Sequence, residues 1–292
     1  MFKKLTALAL AVCITLLPLP ALADVVVGES IVTLGENLST EQKNQVLKDM
    51  NAPQGVQTIT VSNQEEHKYL GDVIPKSQIG TRAISSAMIT YTKKGTGVVV
   101  KTNNINWVED NMYASALVTA GLKDAEIYIT SPFPVSGTAA LTGIMKAYET
   151  STNTKIDDEV KIVANKEMVT TAELGESIGN DQAVQFISEV KKEIAAEQPQ
   201  TKEEVQSLIQ RLAEQFNLTL SDEQLKSLVD LFNSMKDINI DWKAVGEGLN
   251  NIKGQVTGFL ESEEGKSFFA AIGDFFSRLF DAIGAFFKTL FS

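Results

Sequence analysis

The chain has 292 residues, 43% apolar and 22% charged, with 37 acidic side chains against 26 basic ones and a net charge of −11. That length and apolar content suffice for one large or two modest domains with real cores. The acidic balance argues against a nucleic-acid binder, which needs clustered Lys and Arg. With one cysteine (Cys13) and one histidine (His67), zinc, iron–sulfur and haem-thiolate centres have no ligand set, so no metal residue and no cofactor is assigned.

The first 23 residues carry a charged start (Lys3, Lys4), an apolar run over 5–17 broken by Pro18 and Pro20, and a small-x-small site at Ala21-Leu22-Ala23. This is the pattern of a secretory leader cleaved before Asp24. Val12 precedes Cys13 inside the apolar run, too early for lipoprotein processing. Cleavage removes Cys13, so the mature chain has no disulfide to draw on.

Residues 24–152 read as mixed α/β. Strand-length β-branched or aromatic runs fall at 56–62, 86–92, 97–102 and 125–131. The sequence Lys93-Lys94-Gly95-Thr96 predicts a hairpin joining the second and third. A capping box at Ser39 and Gln42 starts a helix running to about Met50, and a second helix spans 108–120.

Residues 153–258 read as helical throughout. Pro199 separates two helices, a box at Thr201/Glu204 starts the second of them, one at Ser221/Gln224 a third, and Asp241 starts a fourth. Asp237-x-Asn239-x-Asp241 imitates a calcium loop, but Trp242 stands where that loop needs Gly and Gly248 where it needs Glu. The segment reads as an interhelical turn.

Residues 259–292 hold nine of the fourteen phenylalanines. Phe268, Phe269, Phe275, Phe276, Leu279, Phe280, Phe286 and Phe287 recur at helical spacing with Ile272, Ile283, Leu290 and Phe291. A face of twelve large apolar residues exceeds what a soluble monomer leaves exposed. Three arrangements cover it: folding back on the helical region, self-association as a homo-oligomer, or docking at a membrane interface or envelope partner. The polar side, with Lys266, Asp274, Arg278, Asp281 and Lys288, lacks the lysine-rich face that favours anionic lipid.

The stretches IGTRAISSA (79–87), NNINWV (103–108), MYASALVTAGLKDAEIYITSPFPVSGTAALTGI (112–144) and MVTTAELG (168–175) resemble a family of secreted bacterial proteins catalogued as domain of unknown function 1002. The resemblance implies secretion. It carries no activity and no catalytic residue over to this chain.

Two loops compete for a binding role. Ser136 follows a strand and precedes a helix, with Gly137 and Thr138 behind it. It reads as a helix N-cap, or as an anion site built on the free amides beyond it. Arg82, the only arginine before the helical region, sits in Gly80-Thr81-Arg82 ahead of Ser85. It reads as a loop anchor or as a carboxylate clamp. Asn106, beside Trp107, stands at a strand-to-helix junction and offers a sugar contact or a turn. His67 lies among glutamates in a polar helix and reads as solvated; no nucleophile signature accompanies it. Ser188-x-x-Lys191 reads as a helix face.

The expected fold is α+β: a small mixed sheet with helices in the N-terminal half, an all-helical region, and a long amphipathic C-terminal helix. The divisions are 1–23, 24–152, 153–258 and 259–292. The expected function is that of a secreted, non-catalytic envelope protein, peripheral on the outer face of the membrane. It would bind a ligand near Arg82, Ser85, Asn106, Ser136 and Thr138 and dock through its Phe-rich segment. A secreted hydrolase acting on envelope material and a self-assembling structural protein are the alternatives.

Overall fold

The computed structural model describes residues 26–74 and 79–252. The predicted leader (1–23) and the Phe-rich segment, with every residue of its predicted apolar face, lie outside the described residues. Among the described residues, no helix is long and apolar enough to cross a membrane.

Five strands form one mixed sheet: β1 (Ser30–Gly35), β2 (Gln57–Val61), β3 (Ser86–Tyr91), β4 (Val98–Ile105) and β5 (Ala125–Val135), in the order β2-β1-β3-β5-β4. Two parallel pairs flank β3, which runs antiparallel to both inner neighbours. Each pair is a βαβ unit. Helix α1 (Thr40–Asp49) joins β1 to β2, and α3 (Asp110–Thr119) joins β4 to β5. Between β2 and β3 lies α2 (Asn63–Leu70).

The predicted hairpin between residues 86–92 and 97–102 is not formed. β5 takes the place beside β3, through Ala87↔Ile129 and Ile89↔Ile127, and pairs on its other side with β4. The turn chemistry at Lys93–Thr96 holds, with Thr96 N–H donating to Lys93 O at 3.1 Å, but the strands it joins are separated by β5. The sheet also contains a strand the pattern missed. β1 is buried from Ile31 to Gly35, so it shows no in–out alternation.

The rest is helical: α4 (Thr138–Thr152), α5 (Asp158–Ile178), α6 (Asn180–Glu197), α7 (Lys202–Gln215), α8 (Asp222–Lys236) and α9 (Trp242–Ile252). The boxes at Ser39/Gln42, Thr201/Glu204 and Ser221/Gln224 form as the sequence implies, and Ser62/Glu65 adds a fourth. Each satisfies two otherwise orphaned donors. Asp241 accepts from Ala244 N–H at 3.0 Å, which starts α9 and makes 237–241 an interhelical turn.

One sheet face packs on α3 and α4 through Ile31, Ile89, Val100, Ile127 and Ile129. That core continues without a break through Phe186 and Phe232 to Ile252. Phe186 and Phe216 meet edge to face at 5.4 Å. On the other face α1 covers Val32 and Leu34 through Val46 and Met50.

At the centre of the helical packing sits a polar cluster. Lys191 on α6 places its Nζ 2.7 Å from Glu167 Oε1 on α5 and 2.9 Å from Ser115 Oγ on α3. It also lies 3.0 Å from Thr119 Oγ1 and 3.1 Å from Ser115 O. The carboxylate accepts from Ser115 Oγ at 2.6 Å and Thr119 Oγ1 at 2.5 Å. Lys191 and Glu167 are both 0% exposed. Burial pushes the Lys191 ammonium below its ordinary range, and the adjacent Glu167 opposes that shift. Lys191 is therefore no solvated helix face, and its serine partner is Ser115, not Ser188.

Breaking the pair from one side strands a buried charge. Lys191→Met is expected to cost about 3–5 kcal/mol in urea unfolding, and adding Glu167→Gln, which keeps an acceptor for Ser115 and Thr119, to recover part of that loss.

Candidate functional site

The topology gathers the carboxyl ends of β1, β2, β4 and β5 at one end of the sheet, where open α/β sheets usually bind ligands. The sequence-predicted residues lie here; among the described residues no hydrogen bond joins Arg82, Ser85 or Asn106 to the side chain of Ser136 or Thr138, although Glu66 and Asn63 link Thr138 to Gly80 O, two residues before Arg82. Arg82 is exposed, and its Nη2 donates to Asn37 O at 3.2 Å. Asn37 Oδ1 in turn accepts from Ala83 N–H at 2.8 Å, so Arg82 anchors its loop to the β1–α1 turn. Ser85 is buried ahead of β3. Asn106 is exposed, its amide donating to Val135 O at 3.0 Å. Trp107 packs partly on the core and donates to Glu176 Oε1 at 2.9 Å.

Ser136 does not cap α4; that position is Gly137, at φ 95°. Tyr113 is fully buried and donates to Gly137 O at 2.7 Å. A side chain at 137 would run into the Tyr113 hydroxyl and come within 2.6 Å of Ile105 Cγ2. Positive φ and close approach together demand glycine, which displaces the serine one residue upstream. Burial pushes the Tyr113 phenol well above its ordinary range.

The anion reading of this turn meets an internal occupant. Glu66 on α2, 1% exposed, accepts from Thr138 Oγ1 at 2.5 Å and from Asn63 Nδ2 at 3.1 Å. A carboxylate of the chain itself thus sits at the first residue of α4. His67 places Nε2 3.0 Å from Gly80 O. A carbonyl only accepts, so Nε2 carries the proton and is tied to the backbone. His67 is half-buried and engaged, not solvated. Among the described residues no cluster of three or more His, Cys, Asp or Glu is placed to hold a metal.

The opposite end of the sheet holds a cleft of about 420 Å³, within the size range of small-molecule sites. Tyr91 closes β3, Ala125 opens β5, and Leu122 and Thr152 complete a buried floor. Tyr148 forms a wall, and Val27, 55% exposed, a lip. The Tyr91 hydroxyl bonds to Ser151 Oγ. Burial raises both phenols, Tyr91 and Tyr148, above the usual range, so both stay neutral at physiological pH.

Lys94 and Lys123 stand exposed on the rim. Neither has an ion-pair partner among the described residues. The nearby Asp124 carboxylate holds the turn through Oδ1, which accepts from Gly95 N–H at 2.8 Å and Gly97 N–H at 2.9 Å. Thr92, also lining the cleft, has an Oγ1 closed to water and without a hydrogen-bond partner among the described residues.

Residues 34–252 match the model of a family described as "Protein of unknown function (DUF1002)". The chain belongs to this family. As a member, it is similar to "Uncharacterized protein YpuA" of Bacillus subtilis (strain 168), at 49% identity over 282 residues, covering 96% of this chain and 97% of that one. No solved structure matches. The family resemblance read from 79–87, 103–108, 112–144 and 168–175 is thereby shown.

Sequence reasoning missed the cleft, because its walls come from 27, 91–94, 122–125 and 148–152. The one available signal was the lysine pair at 93–94, which turn chemistry absorbed.

Glu66 gives this family member a pH signature. Burial raises its carboxyl above the ordinary 4.5, against the bonds from Thr138 and Asn63. A folded pKa above the unfolded one contributes stability that is complete below about pH 4.5 and is lost as pH rises through the folded value. Glu66→Gln, neutral throughout, is expected to match the parent's melting temperature at pH 4 and to exceed it increasingly toward pH 7.

Proposed function

We propose that this chain is a secreted, non-catalytic binding protein of the cell envelope. It holds a small ligand in the Tyr91–Tyr148 cleft, and segment 259–292 docks it to the membrane or to an envelope partner. The observation that carries the ligand-binding reading is the cleft itself. It combines an apolar floor, two unpaired lysines and a hydroxyl in want of a partner, the composition expected of a small-molecule site.

This moves the binding locus away from the Arg82 and Ser136 loops, where the side chains are committed to Asn37 and Glu66. The non-catalytic reading draws support from His67, which is tied through Nε2 to Gly80 O and has no nucleophile signature beside it in the sequence. Secretion draws on the leader ending at Ala21-Leu22-Ala23, and docking on the twelve large apolar residues at helical spacing.

Val27 lies on the lip and is exposed, so Val27→Trp fills the cleft without disturbing the core. In a thermal-shift screen of small metabolites and glycan fragments, ligands that raise the parent's melting temperature are expected to lose their effect on this variant. A screen without a single Val27-sensitive ligand overturns the binding reading. The docking half is tested by vesicle co-sedimentation of the chain from Asp24, against one ending at Thr257. Sedimentation should depend on the segment beyond Thr257; equal behaviour of both forms refutes membrane docking.

A further inference from the structure

We propose that the ligand of the cleft is a carboxylate carried on a six-membered ring. The inference rests on the cleft being a binding site, and it names what that site takes.

Two lysines, Lys94 and Lys123, share one rim with a single carboxylate, Asp124, and neither lysine forms a salt bridge among the described residues. Asp124 Oδ1 accepts from both the Gly95 and Gly97 amides, which fixes that carboxylate against the turn. The rim thus carries two cationic groups to one anionic group, an excess that favours an incoming carboxylate. Below the rim the site turns apolar. Tyr91, Leu122 and Ala125 are 8%, 2% and 2% exposed, and Tyr148 stands beside them. Such a surface receives the face of a flat ring, by stacking or by C–H contact.

Two polar features set the ligand's other groups. Thr92 lines the cleft, and its Oγ1 has no hydrogen-bond partner among the described residues, so a ligand oxygen within reach would satisfy it. Helix α4 ends at Thr152 on the floor. Its carbonyl end carries only partial negative charge, less than the two lysines offer, and it suits a ligand hydroxyl. The dimensions agree: about 420 Å³ has room for one ring with its substituents.

Sugar acids and aromatic acids share this chemistry. The full chain from Asp24, labelled at methyl groups, is titrated with glucuronate and benzoate and, as uncharged controls, with methyl glucoside and benzamide. The Val27, Leu122 and Ala125 methyl signals are followed. The expected result is saturable movement of these signals with at least one acid. Its uncharged counterpart should bind about tenfold more weakly or worse. The acid that binds more tightly assigns the source.

In Lys94→Glu/Lys123→Glu, both changes at exposed positions, the acid should lose its advantage while the weak binding of the control persists. Equal binding of acid and control overturns the carboxylate assignment and leaves the cleft as a site for neutral ligands. If all four probes leave the three methyl signals unmoved, the ring-carboxylate proposal fails. The binding reading then stands or falls separately, on the Val27→Trp screen.

Discussion

The fold turns on a single buried ion pair. Glu167 and Lys191 come from α5 and α6, in the helical half, while the hydroxyls that complete their coordination come from Ser115 and Thr119 on α3, in the βαβ half. Neither charge is tolerable alone at zero exposure, because desolvation costs several kcal/mol per ion. The ammonium and carboxylate are satisfied only when all three helices are in place. Apolar packing between α3 and the helical layer would accept small slides of one helix along another. A four-residue polar cluster with directional bonds does not, and it fixes one register. The β4–α3–β5 unit is thereby locked to the helices behind it.

That lock decides what the two ends of the sheet can offer. At the strand-carboxyl end, α4 begins against Tyr113, on the same α3 that carries Ser115 and Thr119. The chain supplies its own carboxylate to Thr138 from α2. The customary binding end of an open sheet is thus closed by internal partners. At the other end, the α4 terminus, the β3–β4 turn and the start of β5 leave a gap that no side chain of the described chain fills. The turn there is itself held stiff, with Asp124 stapling Gly95 and Gly97, Ala125 N–H donating to Gly97 O and Thr92 N–H to Asp124 O. A rim that is already ordered loses little entropy when it takes up a ligand.

What could be read from the sequence was local. Capping boxes need residues three apart, and three of four were legible at Ser39, Thr201 and Ser221. Strands over 86–92 and 125–131 show themselves by β-branched and aromatic runs, though β5 runs on to Val135. What could not be read was non-local or depended on a single contact. β1 is buried on both faces and carries no alternation. The Lys93–Thr96 turn looks like a hairpin because turn chemistry does not record which strand lies next door. Ser136 lost its capping role to Gly137 because a tyrosine 24 positions earlier presses on that backbone. Lys191 read only as part of a helix face, although Ser115 and Thr119, one turn apart on α3, marked the place where a buried charge would be met. The cleft is the extreme case, assembled from four separate segments.

An anion site on a chain of net charge −11 needs a reason to work, and screening supplies one. At physiological ionic strength the Debye length is about 8 Å. An acidic side chain farther than that from the cleft acts on an approaching carboxylate only weakly. Lys94 and Lys123 act on it at contact, where screening is least effective. The global charge therefore slows encounter more than it weakens the complex. Two acidic side chains lie near: Glu29, whose charge helps raise the Tyr91 phenol, and Asp124, whose Oδ1 accepts from the Gly95 and Gly97 amides. Asp124 keeps its charge, but the same carboxylate holds the lysine-bearing turn in place and so positions Lys94.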